Sequence, residues 1–264
     1  MKNILTTCLF LCLLLTGHAA DNPNVKKLFT VTSGELKLTF LVGTDDRLYQ
    51  LGFGDAAREV EPPAKMPSRE WEFLPPYGNG VLTEPAIQAT HVDGNTSTEL
   101  HYAGHRTEAL APGIEQTVIS LKDPAYPFTV DIYIKCYADN SMVEIWNTVT
   151  HNEKGKVILH RFASAAPVIK AKEYWLTQFS GNYKREATLN EERLSEGVKI
   201  LDSKLGIRAH QMRIPSFILS LNGPAKENKG EVLAASLRWS GSFQFAFDVD
   251  WNKNLRLLTG MNPL

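Results

Sequence analysis

The residues able to do chemistry are few, and most are spaced for something else. Asp248 and Asp250 flank Val249, so on a strand both carboxylates share one face. An acid pair that cleaves a glycoside must straddle the bond at roughly 5 to 10 Å, whereas two like charges on one exposed strand face water. His101 and His105 are four residues apart, but Gly104 breaks any helix that would align them, and no third ligand completes a zinc site. Cys136 ends the run Val130-Asp-Ile132-Tyr-Ile134-Lys-Cys136, in which every second residue is apolar. Period two puts all four on the core side of a strand, so the thiol is a packing residue and not a nucleophile. Trp71, Trp146, Trp175, Trp239 and Trp251 could include a sugar-stacking platform, though tryptophans of a sandwich are mostly core or rim. No nucleophile elbow, phosphate loop or dinucleotide fingerprint occurs, so the sequence calls for no cofactor and no metal.

The elements that must carry these residues read as strands nearly throughout. Leu36, Leu38, Phe40 and Val42 alternate with polar residues, and Thr44-Asp45-Asp46 turns the chain into Arg47–Leu51, a hairpin pattern. An irregular, charged and proline-containing loop runs from Gly54 to Met66. Further extended runs are Ala89–Val92, Leu100–Tyr102, Thr117–Leu121, Phe128–Cys136, Met142–Val149, Val157–Phe162 and Tyr174–Phe179. Phe217–Leu221, Val232–Trp239, Phe243–Val249 and Leu255–Leu258 complete the set. Glu186–Glu196 is expected to hold one short turn of helix. Strands bounded by Gly, Asn, Asp or Pro favour an all-β antiparallel sandwich with few or no helices over alternating α/β units.

Between two of these runs lies Pro75-Pro76-Tyr77-Gly78-Asn79-Gly80-Val81-Leu82-Thr83-Glu84-Pro85-Ala86-Ile87-Gln88. Its prolines fix φ, Asn79-Gly80 tolerates positive φ, and Pro85 disfavours helix on both sides, giving a turn followed by an extended run.

At 264 residues and 43% hydrophobic content, the chain can bury one large core or two modest ones. The net charge of −1 comes from acids and bases mixed along the sequence. No basic stripe for nucleic acid exists, and no polybasic cluster for a membrane surface. Residues 1–20 read as a signal peptide. Lys2 supplies a positive start, Ile4 to Leu15 an apolar run too short to span a bilayer, and Gly17 to Ala20 small residues for cleavage. Export to the periplasm or the medium is therefore expected. Cys8 and Cys12 would leave with the signal, and Cys136 alone could form no internal disulfide.

The order Tyr77-Gly78-Asn79, Glu84-Pro85-Ala86, Tyr102…His105-Arg106 and Leu110-Ala-Pro-Gly113 resembles the N-terminal domain of the α-galactosidases of glycoside hydrolase family 36. Ser180-Gly181-Asn182-Tyr183-Lys184-Arg185-Glu186 is similar to the family's "SGAWxRE" element, and Leu201–Gln211 to its "SRRGxSSHQ". Trp239-Ser240-Gly241-Ser242-Phe243 and Gly260-Met261-Asn262-Pro263 are similar to its closing "YSGNF…GINP". Each match is short, and their shared order is what makes them specific.

The resemblance implies a large β-supersandwich of galactose-mutarotase type over residues 21–264, and a partner (β/α)8 barrel that carries both catalytic aspartates of a retaining mechanism. This chain stops where the family continues into the barrel, so it is expected to be inactive alone, with no catalytic residue of its own. Its expected role is to pack on the barrel and help shape a pocket for an α-galactoside, with homo-oligomer contacts left open. Tyr183 replaces the family's tryptophan and is the expected sugar contact. The family's Asp- and Arg-bearing loop looks shortened, which leaves Asp55, Arg58 and Arg69 as candidate contacts. The alternative is a stand-alone secreted sandwich, carbohydrate-binding or structural.

Overall fold

The computed structural model describes residues 23–262 apart from 79, 81 and 209–211. The signal-peptide reading of residues 1–20, Asn79, Val81, the Ala209-His210-Gln211 match and Pro263 lie outside the described residues. Alternation of apolar and polar side chains builds four sheets in which every pairing of these strands is antiparallel.

Two of the sheets are simple meanders. Strands β1 (Val25–Ser33), β2 (Leu36–Gly43) and β3 (Leu48–Asp55) form one of them. Strands β5 (His101–Ala111), β6 (Ile114–Lys122), β7 (Phe128–Tyr137) and β8 (Met142–His151) form the other. A third sheet runs β12 (Arg185–Arg193), β11 (Tyr174–Asn182), β14 (Arg213–Lys226), β15 (Lys229–Ser236). The fourth runs β13 (Gly197–Ser203), β16 (Phe243–Val249), β17 (Asn254–Met261), β9 (Ile158–Ala165), β4 (Ile87–Thr90), with β10 (Val168–Lys170) also on β17. The sequence therefore folds as the large antiparallel sandwich its patterning predicts.

Two main cores hold the sheets together. Phe40, Ile119, Val130, Ile132, Ile134 and Cys136 belong to the first, between the two meanders and β4 and β9. Leu176, Phe217, Leu219, Phe243, Phe245, Phe247 and Leu257 belong to the second, between the third sheet and β16–β17. The fourth sheet serves both. On β16 the three phenylalanines face one core, while Ala246 and its register partner Leu258 face the other. Burial on both faces explains why β16 reads as a nearly continuous apolar run. A smaller cluster of Leu41, Tyr49 and Leu51 lies under Val60, Met66 and Trp71, so the irregular loop after β3 is a cover for that sheet's outer face.

The helical turn expected in Glu186–Glu196 does not form. Those residues supply β12, an edge strand paired with β11 from Trp175↔Arg193 to Asn182↔Arg185. All but one of its residues are exposed. With neither face buried, no apolar period could announce it as a strand.

Candidate functional site

The segment from Pro75 to Gln88 is a closed loop, a tighter arrangement than a turn followed by an extended run. Tyr77 N–H donates to Ile87 O at 2.8 Å and Ala86 N–H to Pro75 O at 2.7 Å, with Pro76 bridging Ile87 in parallel. The two ends are thus pinched together, and Leu82 between them is 94% exposed. Tyr77 O accepts Thr98 N–H at 3.1 Å, and Ala86 O accepts Ala163 N–H from β9 at 2.8 Å.

Charged groups from distant strands seat this loop. The Glu84 carboxylate meets the Arg161 guanidinium of β9, and Glu84 N–H donates to Asp248 Oδ2 of β16 at 3.3 Å. Asp248 stands opposite Arg256 in the β16–β17 register. Arg256 is 3% exposed; its Nη1 donates to Ala166 O at 2.9 Å and its Nη2 to Glu70 O. Burial lowers the Arg256 guanidinium to about 10, against the pull of Asp248. Burial also raises the Asp248 carboxyl above its ordinary range, opposed by the Glu84 N–H. Asp250 closes the β16–β17 turn, accepting Asn254 N–H at 2.7 Å and its side-chain amide at 2.8 Å. The two aspartates thus do not simply face water, as their spacing suggested. They line a cavity of about 10 Å³ with Glu70, Trp71, Thr83, Val168, Asn254 and Arg256, room for about one water. Thr83 Oγ1 and Arg256 Nε are buried there without a hydrogen-bond partner.

The chain entering the loop is fixed by a second charged group. Glu72, 3% exposed, receives Arg47 at 3.3 Å and Arg69 Nε at 3.0 Å. Burial pushes its carboxyl up, while the two guanidiniums pull it down. Sequence reasoning missed Arg47, Glu72, Arg161, Asp248 and Arg256 as a positioning set, because they are scattered over more than 200 residues. The one signal available was a charged residue set in an otherwise apolar strand.

The four expected sugar contacts do not form one cluster. Asp55 ends β3 and caps the following turn, its Oδ1 accepting Ala57 N–H at 2.8 Å and its backbone O accepting Arg58 N–H at 3.1 Å. Arg58 reaches Glu231 of β15 at 3.8 Å. Arg69 is committed to Glu72 beside the loop. Tyr183 stands at the β11–β12 turn, 84% exposed, with Lys184 Nζ 5.5 Å from its ring centre. Only Asp55 and Arg58 are neighbours.

Most of the remaining candidates are engaged within the fold, whereas Trp239 and Trp251 are 47% and 73% exposed. Cys136 is buried with Val130, Ile132 and Ile134 as its period predicts. His105 Nδ1 lies 2.6 Å from Tyr102 Oη, and its ring stacks on Phe29 at 3.9 Å. No metal-holding group of His, Cys, Asp or Glu is found among the described residues. Trp146 stacks on Tyr133 at 5.1 Å, and Lys170 lies over Trp71 at 3.7 Å. The buried carboxylates Glu72 and Asp123 are held by guanidiniums or backbone N–H groups. What the arrangement does is tie the two ends of this loop, and Glu84 within it, to β9 and β16.

Comparison with known proteins gives consistent matches. The family described as "Glycosyl hydrolase family 36 N-terminal domain" matches residues 42–264. "Alpha-galactosidase AgaA" of Geobacillus stearothermophilus is 25% identical over 277 residues, covering 92% of this chain and 38% of that protein. "Alpha-galactosidase C" of Emericella nidulans is 25% identical over 211 residues, covering 75% of this chain and 28% of that protein. Among solved structures, AgaA superposes with a TM-score of 0.80 at 22% identity, over 90% of this chain and 37% of that one. The galactosidase domain of an α-galactosidase–sucrose kinase, AgaSK, gives 0.82 at 19% identity, over 90% and 37%. The chain therefore spans less than two-fifths of the length of these relatives.

Proposed function

The chain belongs to the family of glycosyl hydrolase family 36 N-terminal domains, and from that premise we propose that it is the non-catalytic lead domain of an exported α-galactosidase. Its work is mechanical: it packs on a catalytic (β/α)8 barrel and supplies part of the wall around a terminal α-galactoside. Bond cleavage, by a retaining mechanism with two aspartates, belongs to the barrel. The observation that carries this reading is the match itself, which takes in almost all of this chain but only 38% of AgaA. The loop whose ends and Glu84 are tied to the sheet agrees with it, since loops carried on a firm frame suit a pocket wall.

Within this reading Tyr183, far out on its turn, contacts the sugar. Asp55 and Arg58 stand at another edge, and Arg69 serves the loop through Glu72. Export rests on residues 1–20. The test is direct: the purified 264-residue chain should show no turnover of an aryl α-galactoside, and the DNA after codon 264 should encode a barrel. Turnover by the isolated chain would end the proposal.

A further inference from the structure

Five large apolar side chains are exposed at one corner of the molecule. Leu205, Ile207, Met212, Trp239 and Met261 have between 46 and 83% of their surface open, Ile207 the most. A short polar frame gathers the backbones that carry them. Ser242 O accepts the Trp239 indole N–H and the Asn262 N–H, both at 3.1 Å, and Ser242 Oγ accepts the Gly206 N–H at 3.2 Å. Asp202 completes the frame, its backbone O accepting Arg213 at 2.9 Å and its Oδ2 accepting the Asn262 amide at 3.0 Å. Each of the five is a member of this frame or the sequence neighbour of one. Val198 and Ile200 on the edge strand β13 are also about half exposed and lead along the sheet toward Asp202. Single exposed apolar residues are ordinary, but a group of this size held on a fixed frame marks a contact surface.

The relatives indicate what covers it. Their family is an N-terminal domain, and about three-fifths of AgaA lies outside the match. Strand β17 ends in this corner, Met261 lying opposite Phe243 in register. Polypeptide that follows a domain of this fold would set out from this corner, because Asn262, directly after β17, shares Ser242 O with the Trp239 indole. We propose that Leu205, Ile207, Met212, Trp239 and Met261 are the docking face for the catalytic part of an α-galactosidase. This rests on the reading above and names the surface that the reading leaves open.

The test is a chimera in which residues 23–264 replace the matching part of AgaA, assayed with an aryl α-galactoside. Leu205→Glu with Ile207→Glu is placed in the corner, where both side chains are exposed and neither holds the frame. Trp251→Ser serves as the control, since Trp251 is 73% exposed at the opposite end of the β16–β17 hairpin. The corner variant should lose about tenfold or more in activity, as truncation at the centre of an interface does, and the control should stay within about twofold. Both sets of substitutions should leave the melting temperature of the isolated 264-residue chain unchanged. Equal activity of corner variant and control, or a parallel drop in the isolated chain's melting, overturns the docking face and leaves the lead-domain reading standing. An unsubstituted chimera that neither assembles nor hydrolyses overturns both.

Discussion

Arg47 and Glu72 form an ion pair 3.3 Å long from which water is nearly excluded, the guanidinium 8% and the carboxylate 4% exposed. The pair ties the start of β3 to the residues that lead into the loop from Pro75 to Gln88, and Phe73 N–H on Leu48 O at 2.9 Å runs beside it. Removing one member of such a pair strands a charge in a dry site, whereas removing both does not. Arg47→Met leaves the buried Glu72 with Arg69 alone and should cost up to about 3 kcal/mol, and Arg47→Met with Glu72→Met clearly less, because the partners left behind, Arg69, Asp45 and Glu99, are all partly exposed and can turn to water. Urea unfolding of the two variants decides the matter. A double variant less stable than the single would mean that the side chains matter for shape and not for charge.

Gly78 and Gly80 belong to the same loop, and geometry separates them. Both have positive φ, +87° and +78°. A Cβ on Gly78 would lie 2.6 Å from Ser97 Cα, while one on Gly80 would meet nothing within 4 Å. Gly80→Ala carries only the left-handed penalty of about 1 kcal/mol. Gly78→Ala adds overpacking against backbone and should cost about 3 kcal/mol in all. Thermal melts of the two variants should differ by several degrees, and identical melts would show that Ser97 yields freely.

How much of this was legible in the sequence depends on which faces each element buries. Strand β7 buries every second residue, so its limits and its inward Cys136 could be read directly from period two. Strand β12 buries neither face, and β1 has six of its nine residues exposed or half-exposed before Val31. The first therefore reads in sequence as a helical turn, and the second carries no clear strand signal. The loop from Pro75 to Gln88 was legible as punctuation by proline and glycine. Its seating on the sheet was not, because that depends on Ala163, Arg161 and Asp248, which reach it from 77 or more residues away.

Cys136 offers a probe of the first core. Burial, with Glu115 nearby, raises its thiol above the ordinary range, and the residue is 4% exposed. A thiolate is what reacts with disulfide reagents, so Ellman's reagent should leave the native chain with Cys136 unmodified and titrate it fully in denaturant. The rate at intermediate urea should follow global unfolding. Rapid labelling of the native chain would show that the end of β7 opens locally, where it borders the β5–β6 turn.

His105 should impose a pH dependence whose sign is fixed by its surroundings. Burial and the nearby Lys27 lower its pKa below the ordinary value of 6.5. The unfolded chain therefore takes up this proton first as the pH falls. The stability contributed by a neutral His105 is complete above about 6.5 and is lost as the pH drops from there through the lowered folded value. Protonation places a second cation beside Lys27 and desolvates it against Phe29. His105→Gln cannot take up that proton, so the stability of wild type relative to this variant should decline between pH 7.5 and pH 5. Urea midpoints of both proteins across that range measure it, and a gap that stays constant with pH would remove His105 as the cause.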